Sequence, residues 1–175
     1  MKAQIKLTII LLGCLLMIAC LSVDLPNRST EKDVHEMPIV TLTPDTINEI
    51  ENYGRLTMPA GAQNIQFHLE TDGMNAFLAL RFEMPSDELP LFLEQASYTE
   101  ALTTPRHLRD ILGLLYPLDQ QISNWPTMEK WEQMLEDPAR TLLAATRSEP
   151  GFSRTMLVDQ TNEELYIIYL VHHEL

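Results

Sequence analysis

Cysteine is nearly missing from this chain of 175 residues: Cys14 and Cys20 are the only two, and both fall in the first twenty positions. Everything downstream therefore lacks a disulfide, a cysteine-based metal site and a thiol nucleophile. The roughly 130 residues of the body must be held by core burial alone, which a chain of that size can do. Positive charge is also scarce, with 12 Lys and Arg against 25 Asp and Glu, a formal net charge of −13. Such a surface repels phosphate backbones, and with no basic stripe to offset it, nucleic acid is excluded as a partner. Anionic lipid headgroups are repelled too, so membrane contact has to come from an anchor. The glycines form no phosphate-binding loop. Neither a Gly-x-Ser-x-Gly elbow nor a Ser-x-x-Lys box is present, and no motif calls for a cofactor. Internal repeats and low-complexity tracts are absent as well.

What is present begins at the N-terminus. Lys2 and Lys6 make a positive leader, followed by an uncharged apolar run over residues 7–19. At about 13 residues the run suits a secretory signal and falls short of the ~20 that cross a bilayer as a helix. Met17-Ile18-Ala19-Cys20 closes it, with Asp24 and Pro26 beyond. This pattern resembles the signal of bacterial lipoproteins, which ends in a small residue followed by an obligatory cysteine. Leu11-Leu12-Gly13-Cys14 matches letter by letter, but it leaves too short an apolar run before it. The resemblance implies a signal peptide over residues 1–19, cleavage after Ala19, a thioether-linked diacylglycerol on Cys20 and further acylation of the new amine. Several acyl chains anchor stably where one is marginal, at about 0.8 kcal/mol per buried methylene. Loss of Lys2 and Lys6 with the signal would leave the mature chain two units more negative. Leu21 rather than Asp after the cysteine implies passage to an outer membrane, where the host has one. The alternative is an uncleaved membrane helix over residues 7–23, at the lower limit for spanning. Both readings place the body in the cell envelope, outside the cytoplasm.

Residues 20–42 are polar and lack sustained periodicity, as expected of a tether. A single α+β domain is expected over residues 43–175. Thr43-Pro44-Asp45 has the cap and first-turn proline of a helix start, with Ile47, Ile50 and Tyr53 facing inward and Gly54 as terminator. Residues 64–71 alternate, with Ile65, Phe67 and Leu69 on one side and Gln66, His68 and Glu70 on the other. Asp72-Gly73 is a hairpin turn signal, and residues 74–84 form the returning strand with Leu78, Leu80 and Phe82 inward. Ser86-Asp87-Glu88 opens a helix whose Leu89, Phe92, Leu93 and Ala96 make a core-facing stripe. A further helix is expected from Thr104-Pro105 with Leu108, Ile111, Leu112 and Leu115 inward. Another is expected over residues 126–136, with Met128, Trp131 and Leu135 inward. Strands are expected over 140–147, 154–159 and 165–173, the last apolar on both faces and hence central. The sum is about five mainly antiparallel strands with amphipathic helices packed on one face. The stretch from Gly61 to Phe92 also has the general look of small bacterial lipoproteins of unknown activity.

Candidate chemistry is thin. His68, Glu70 and Arg81 are expected to share the outer face of the hairpin, with Glu83 alongside. This makes them the candidate ligand-binding residues, set against an ordinary cross-strand ladder. His172 and His173 project to opposite faces and do not bind one metal together; no metal site is assigned. His107, with Arg106, Arg109 and Asp110, is the one basic cluster, more simply read as surface pairing on a helix. Trp131 fits a buried stripe, and Trp125 is also better placed in the core than in a groove. The acids offer no pair that sequence can set across a cleft. The leading expectation is a non-catalytic binding or scaffolding domain held at a membrane by its lipid and facing an envelope protein partner or small ligand. The alternatives are an envelope hydrolase with a dispersed carboxylate and histidine site, and an inhibitor or immunity-type lipoprotein acting through its acidic face.

Overall fold

The computed structural model describes residues 43–72, 75–98 and 101–174, together with the backbone of 33–36. The signal segment, Cys20, most of the expected tether, and Gly73 of the hairpin turn lie outside these residues. Six strands form one open sheet: β1 (Asp33–Glu36), β2 (Gln63–Thr71), β3 (Ala76–Pro85), β4 (Leu142–Glu149), β5 (Phe152–Asp159) and β6 (Leu165–Glu174). Their order is β1-β2-β3-β6-β5-β4, and every neighbouring pair is antiparallel. The α+β class with five long antiparallel strands is as expected. The short sixth strand, β1, comes from the stretch read as tether and covers the outer edge of β2, Glu36 lying opposite His68. At the far edge, Thr103 and Ala144 exchange two backbone hydrogen bonds of 2.9 and 2.7 Å. A half-covered edge of this kind is a poorer template for stray pairing.

The two ten-residue strands, β3 and β6, take the centre. Both have buried residues on both sides, so each face needs its own cover. The helices are accordingly not confined to one face. On the first face, Leu78, Leu80, Phe82 and Met84 of β3 pack with Ile168 and Leu170 of β6. Helices α1 (Pro44–Gly54) and α2 (Leu89–Gln95) cover them with Ile50 and Phe92. On the second face, Ala79, Leu157, Tyr169 and Val171 lie under Ile111, Leu114, Leu118, Ile122 and Trp125, and under Trp131 of helix α3 (Met128–Glu136). Among the described residues no helix is long and apolar enough to cross a membrane.

Local chemistry explains the boundaries. Thr43 caps α1, its hydroxyl accepting from the Thr46 N–H, with Pro44 in the first turn. The helix ends one residue later than the glycine signal implies. Gly54 is still helical, because a Cβ there would meet Leu78 Cδ2 at 2.9 Å, and Arg55 takes the left-handed conformation. Thr127 likewise caps α3. That helix starts at Met128 and turns it outward, burying Trp131 and Met134 instead of Met128.

The helix expected from Thr104 is a 3-10 segment, Leu108–Leu114. Two short 3-10 turns meet at a kink at Ile111 (φ −127°, ψ 24°), and the segment sets Leu108, Ile111 and Leu114 against the sheet while Leu112 is 64% exposed. Gly113 seats closely on the sheet: a Cβ there would lie 2.3 Å from Thr155 Oγ1 of β5. The stretch before α2 also begins as a 3-10 turn, Ser86–Glu88.

One cation is deeply buried on the first face. Arg154 of β5 is 1% exposed, and no carboxylate pairs with it among the described residues. It donates instead to the carbonyls of Gly54, Arg55 and Ala96, at the C-terminal ends of α1 and α2. Its Nε also lies 3.4 Å from Nδ1 of His172. Neither helix carries a basic residue in its last turn, so a strand supplies the charge that the helix dipoles favour there.

Candidate functional site

His68 and Arg81 were expected on an exposed outer face. Both are buried, His68 to 3% exposure, because that face lies under the 3-10 segment and the loop after it. Strand alternation puts His68, Glu70 and Arg81 on this one face, with Gln66 opposite Arg81 and Glu70 opposite Phe77. The structure then separates them. His68 and Glu70 form a contact of 3.0 Å, Nε2 to Oε1, on the wall of a cleft. Arg81 lies outside that cleft; its guanidinium bonds Glu83 at 3.2 Å and sits 5.9 Å from the Tyr169 ring centroid. Burial raises the Tyr169 phenol pKa, and Arg81 opposes the shift.

The cleft has a volume of about 470 Å³, within the range of small-molecule sites. Its walls come from four places in the chain: His68 and Glu70 of β2, Phe77 of β3, His173 of β6, and the 116–121 loop with Tyr116 and Gln121. Phe77 is the hub of the aromatic lining. Its ring makes edge contacts with Tyr116 at 4.8 Å between centroids, with His173 at 6.2 Å and with His68 at 6.3 Å. Tyr116 is 42% exposed, so an aromatic surface faces solvent at the cleft. On the same face Trp125, Trp131 and Tyr169 pack edge to face at 5.0 to 6.2 Å. Both tryptophans are core residues, as their sequence positions suggest.

Two buried polar atoms on the cleft residues, His68 Nδ1 and Gln121 Oε1, have no hydrogen-bond partner among the described residues. Six other buried side-chain atoms among the described residues, those of Gln66, Arg81, Tyr98, Trp125, Trp131 and His172, likewise have no partner, so the pair does not by itself single out the cleft. With Nε2 in contact with Glu70, Nδ1 is the His68 ring nitrogen that has no partner among the described residues.

Comparison with protein-family models, with curated proteins and with solved structures gave no match. The chemistry therefore has to be read from the residues themselves.

A second cavity of about 330 Å³ opens on the same face at the opposite end of the strands and is lined by Glu83, Arg140 and Asp159. Its acids are already engaged. Asp159 accepts from Arg140 and from the Thr161 N–H at 3.0 Å, while Glu83 accepts from Arg81 and from Asn64 at 2.7 Å. Carboxylates bonded in this way serve as fixed anions.

Of the remaining sequence candidates, His173 reaches the cleft, while His172 and His107 do not. His172 and His173 do face opposite sides, His173 opposite Phe77 and His172 opposite Leu78. His172 is fully buried, stacked on Phe152 at 5.3 Å. Burial, reinforced by Arg154, lowers its pKa to about 4. His107 precedes the 3-10 segment at the surface. There Asp110 accepts from the Arg106 and His107 backbone N–H groups at 2.8 and 3.1 Å, and these bonds hold its carboxyl below the usual range. No group of three metal-ligating side chains occurs among the described residues. Phe77, Tyr116, Gln121 and His173 are the cleft residues that sequence reasoning missed. Nothing local in the chain links them, although Phe77 stands directly opposite Glu70 in the hairpin register.

Proposed function

We propose that this protein is an exported lipoprotein, anchored through an acylated Cys20, whose α+β domain is a non-catalytic binding module working through the cleft of β2, β3, β6 and the 116–121 loop. The N-terminal half of this reading rests on the leader, apolar run and Met17-Ile18-Ala19-Cys20 box. The binding half is carried by one observation: a cleft of ligand size whose lining is aromatic, with Phe77 against the part-exposed Tyr116. A mostly apolar pocket with a few fixed polar groups is what orients a small ligand or a protruding side chain. The His68–Glu70 contact holds the imidazole in place on the cleft wall.

A protein-observed NMR titration of the full-length chain in detergent micelles, against a chemically varied fragment set, tests the binding half. The expected perturbations cluster at Phe77, Tyr116, Gln121 and His173 and weaken in Tyr116→Ala. Perturbations confined to other surfaces, or none, would reject the cleft as the binding site.

A further inference from the structure

The carboxylates of the cleft are already engaged within the chain. Glu70 is in contact with His68 at 3.0 Å, and Asp72 accepts from the Asn75 N–H at 2.7 Å and from Asn75 Nδ2 at 3.0 Å. Neither lysine nor arginine lines the cleft among the described residues. No charge of either sign is therefore held ready for a ligand. What the lining leaves open is aromatic surface. Phe77, Tyr116 and His173 come from three separate parts of the chain, and each stays partly exposed. Phe77 meets Tyr116, His173 and His68 edge on, at interplanar angles of 61°, 73° and 66°. None of these contacts is stacked, so the part-exposed rings have no parallel ring beside them among the described residues. Aromatic side chains attract further rings beyond what buried area alone supplies, in offset-stacked as well as edge-on arrangements.

We propose that the cleft binds a neutral planar aromatic ring carrying a small hydrogen-bonding substituent. The ring packs on Phe77 and Tyr116, and the substituent meets the side-chain amide of Gln121, which can both donate and accept. The inference rests on the reading of the cleft as a binding site and adds the class of ligand. The same chemistry comes from a free aromatic molecule or from an aromatic side chain of a protein partner.

The test is protein-observed NMR titration of the full-length chain in detergent micelles, with affinities read from the shifts of Phe77, Tyr116 and His173. The probes are benzamide and cyclohexanecarboxamide, which share a substituent and a ring size but not the π-face. Benzylamine and benzoate carry the same ring with a charge of each sign, and the end-blocked tripeptides Gly-Phe-Gly and Gly-Tyr-Gly represent a partner side chain. Benzamide is expected to bind about fivefold tighter than cyclohexanecarboxamide and tighter than either charged ring. Tyr116→Ala, at an exposed position, should lower benzamide affinity about fivefold, and Tyr116→Phe, which keeps the ring, should hold it within about twofold. Tighter binding of the tripeptides identifies a protein side chain as the source and tighter binding of benzamide a free molecule; both support the proposal. Equal binding of the two amides at the cleft, or tighter binding of a charged ring, would overturn the ligand class and leave the binding site standing. Absence of any perturbation at Phe77 and Tyr116 with every probe would overturn both.

Discussion

Arg154 shows how much one side chain can do with no ion-pair partner among the described residues. Three backbone carbonyls from the ends of two helices converge on its guanidinium, which tethers α1 and α2 to β5 at one point. Burial lowers its pKa, and Tyr98 is the first group opposing the shift. Arg154→Met removes the donors and leaves those carbonyls buried, and is expected to destabilise the fold by about 3 kcal/mol. Thermal or urea unfolding measures this; a loss under ~1 kcal/mol would mean that water or neighbouring groups replace the guanidinium. His172, in contact with Arg154, sets a pH response. Its ring is neutral in the fold down to about pH 4 but charges near 6.5 when unfolded. With the folded pKa depressed, its contribution is complete above pH 6.5 and is lost as pH falls from 6.5 toward 4. Urea midpoints across that window should fall in the native chain and fall less steeply in His172→Phe. Equal slopes would remove His172 as the cause.

Among the elements, the 3-10 segment Leu108–Leu114 bears most directly on function, because it and the loop after it turn an outer sheet face into a cleft wall. The leucine spacing there fits a regular α-helix as well, and it signals neither the kink at Ile111 nor the close seating of Gly113 against Thr155. That contact joins positions 42 apart in the sequence, so no local pattern announces it. Gly113→Ala is expected to destabilise by about 2–3 kcal/mol through overpacking, and Thr155→Ala in the same chain to recover part of the loss. Strict additivity of the two losses would show that the segment does not seat as described. The strands, by contrast, are legible from alternation alone. β2, β3 and β6 fall within two residues of their expected bounds, and the apolar content of β6 correctly signals a central place. The same doubly apolar β6 contains the argument for cover on both faces, which a one-sided arrangement cannot provide.

For the whole molecule, sequence and structure divide the account between them. His68 and Glu70 were legible as a pair because they are two apart on one strand, and strand alternation must put them on one side. Their burial was not legible, because the cover comes from residues 108–126 and nothing in the hairpin specifies it. Phe77, Tyr116, Gln121 and His173 meet only through the sheet order, in which β6 lies beside β3. The proposed anchor is the opposite case: the pattern it is read from lies wholly in the first twenty residues and is independent of the fold. Under that proposal, an acidic domain repelled by anionic headgroups would depend on the acylated Cys20 to remain at a membrane. The most direct measurement is therefore the intact mass of the protein recovered from the membrane fraction, native chain beside Cys20→Ser. A mature chain beginning at Cys20 and carrying acyl mass, lost in the variant along with membrane retention, is the predicted result. An unprocessed chain, or one cut elsewhere and free of lipid, would contradict it.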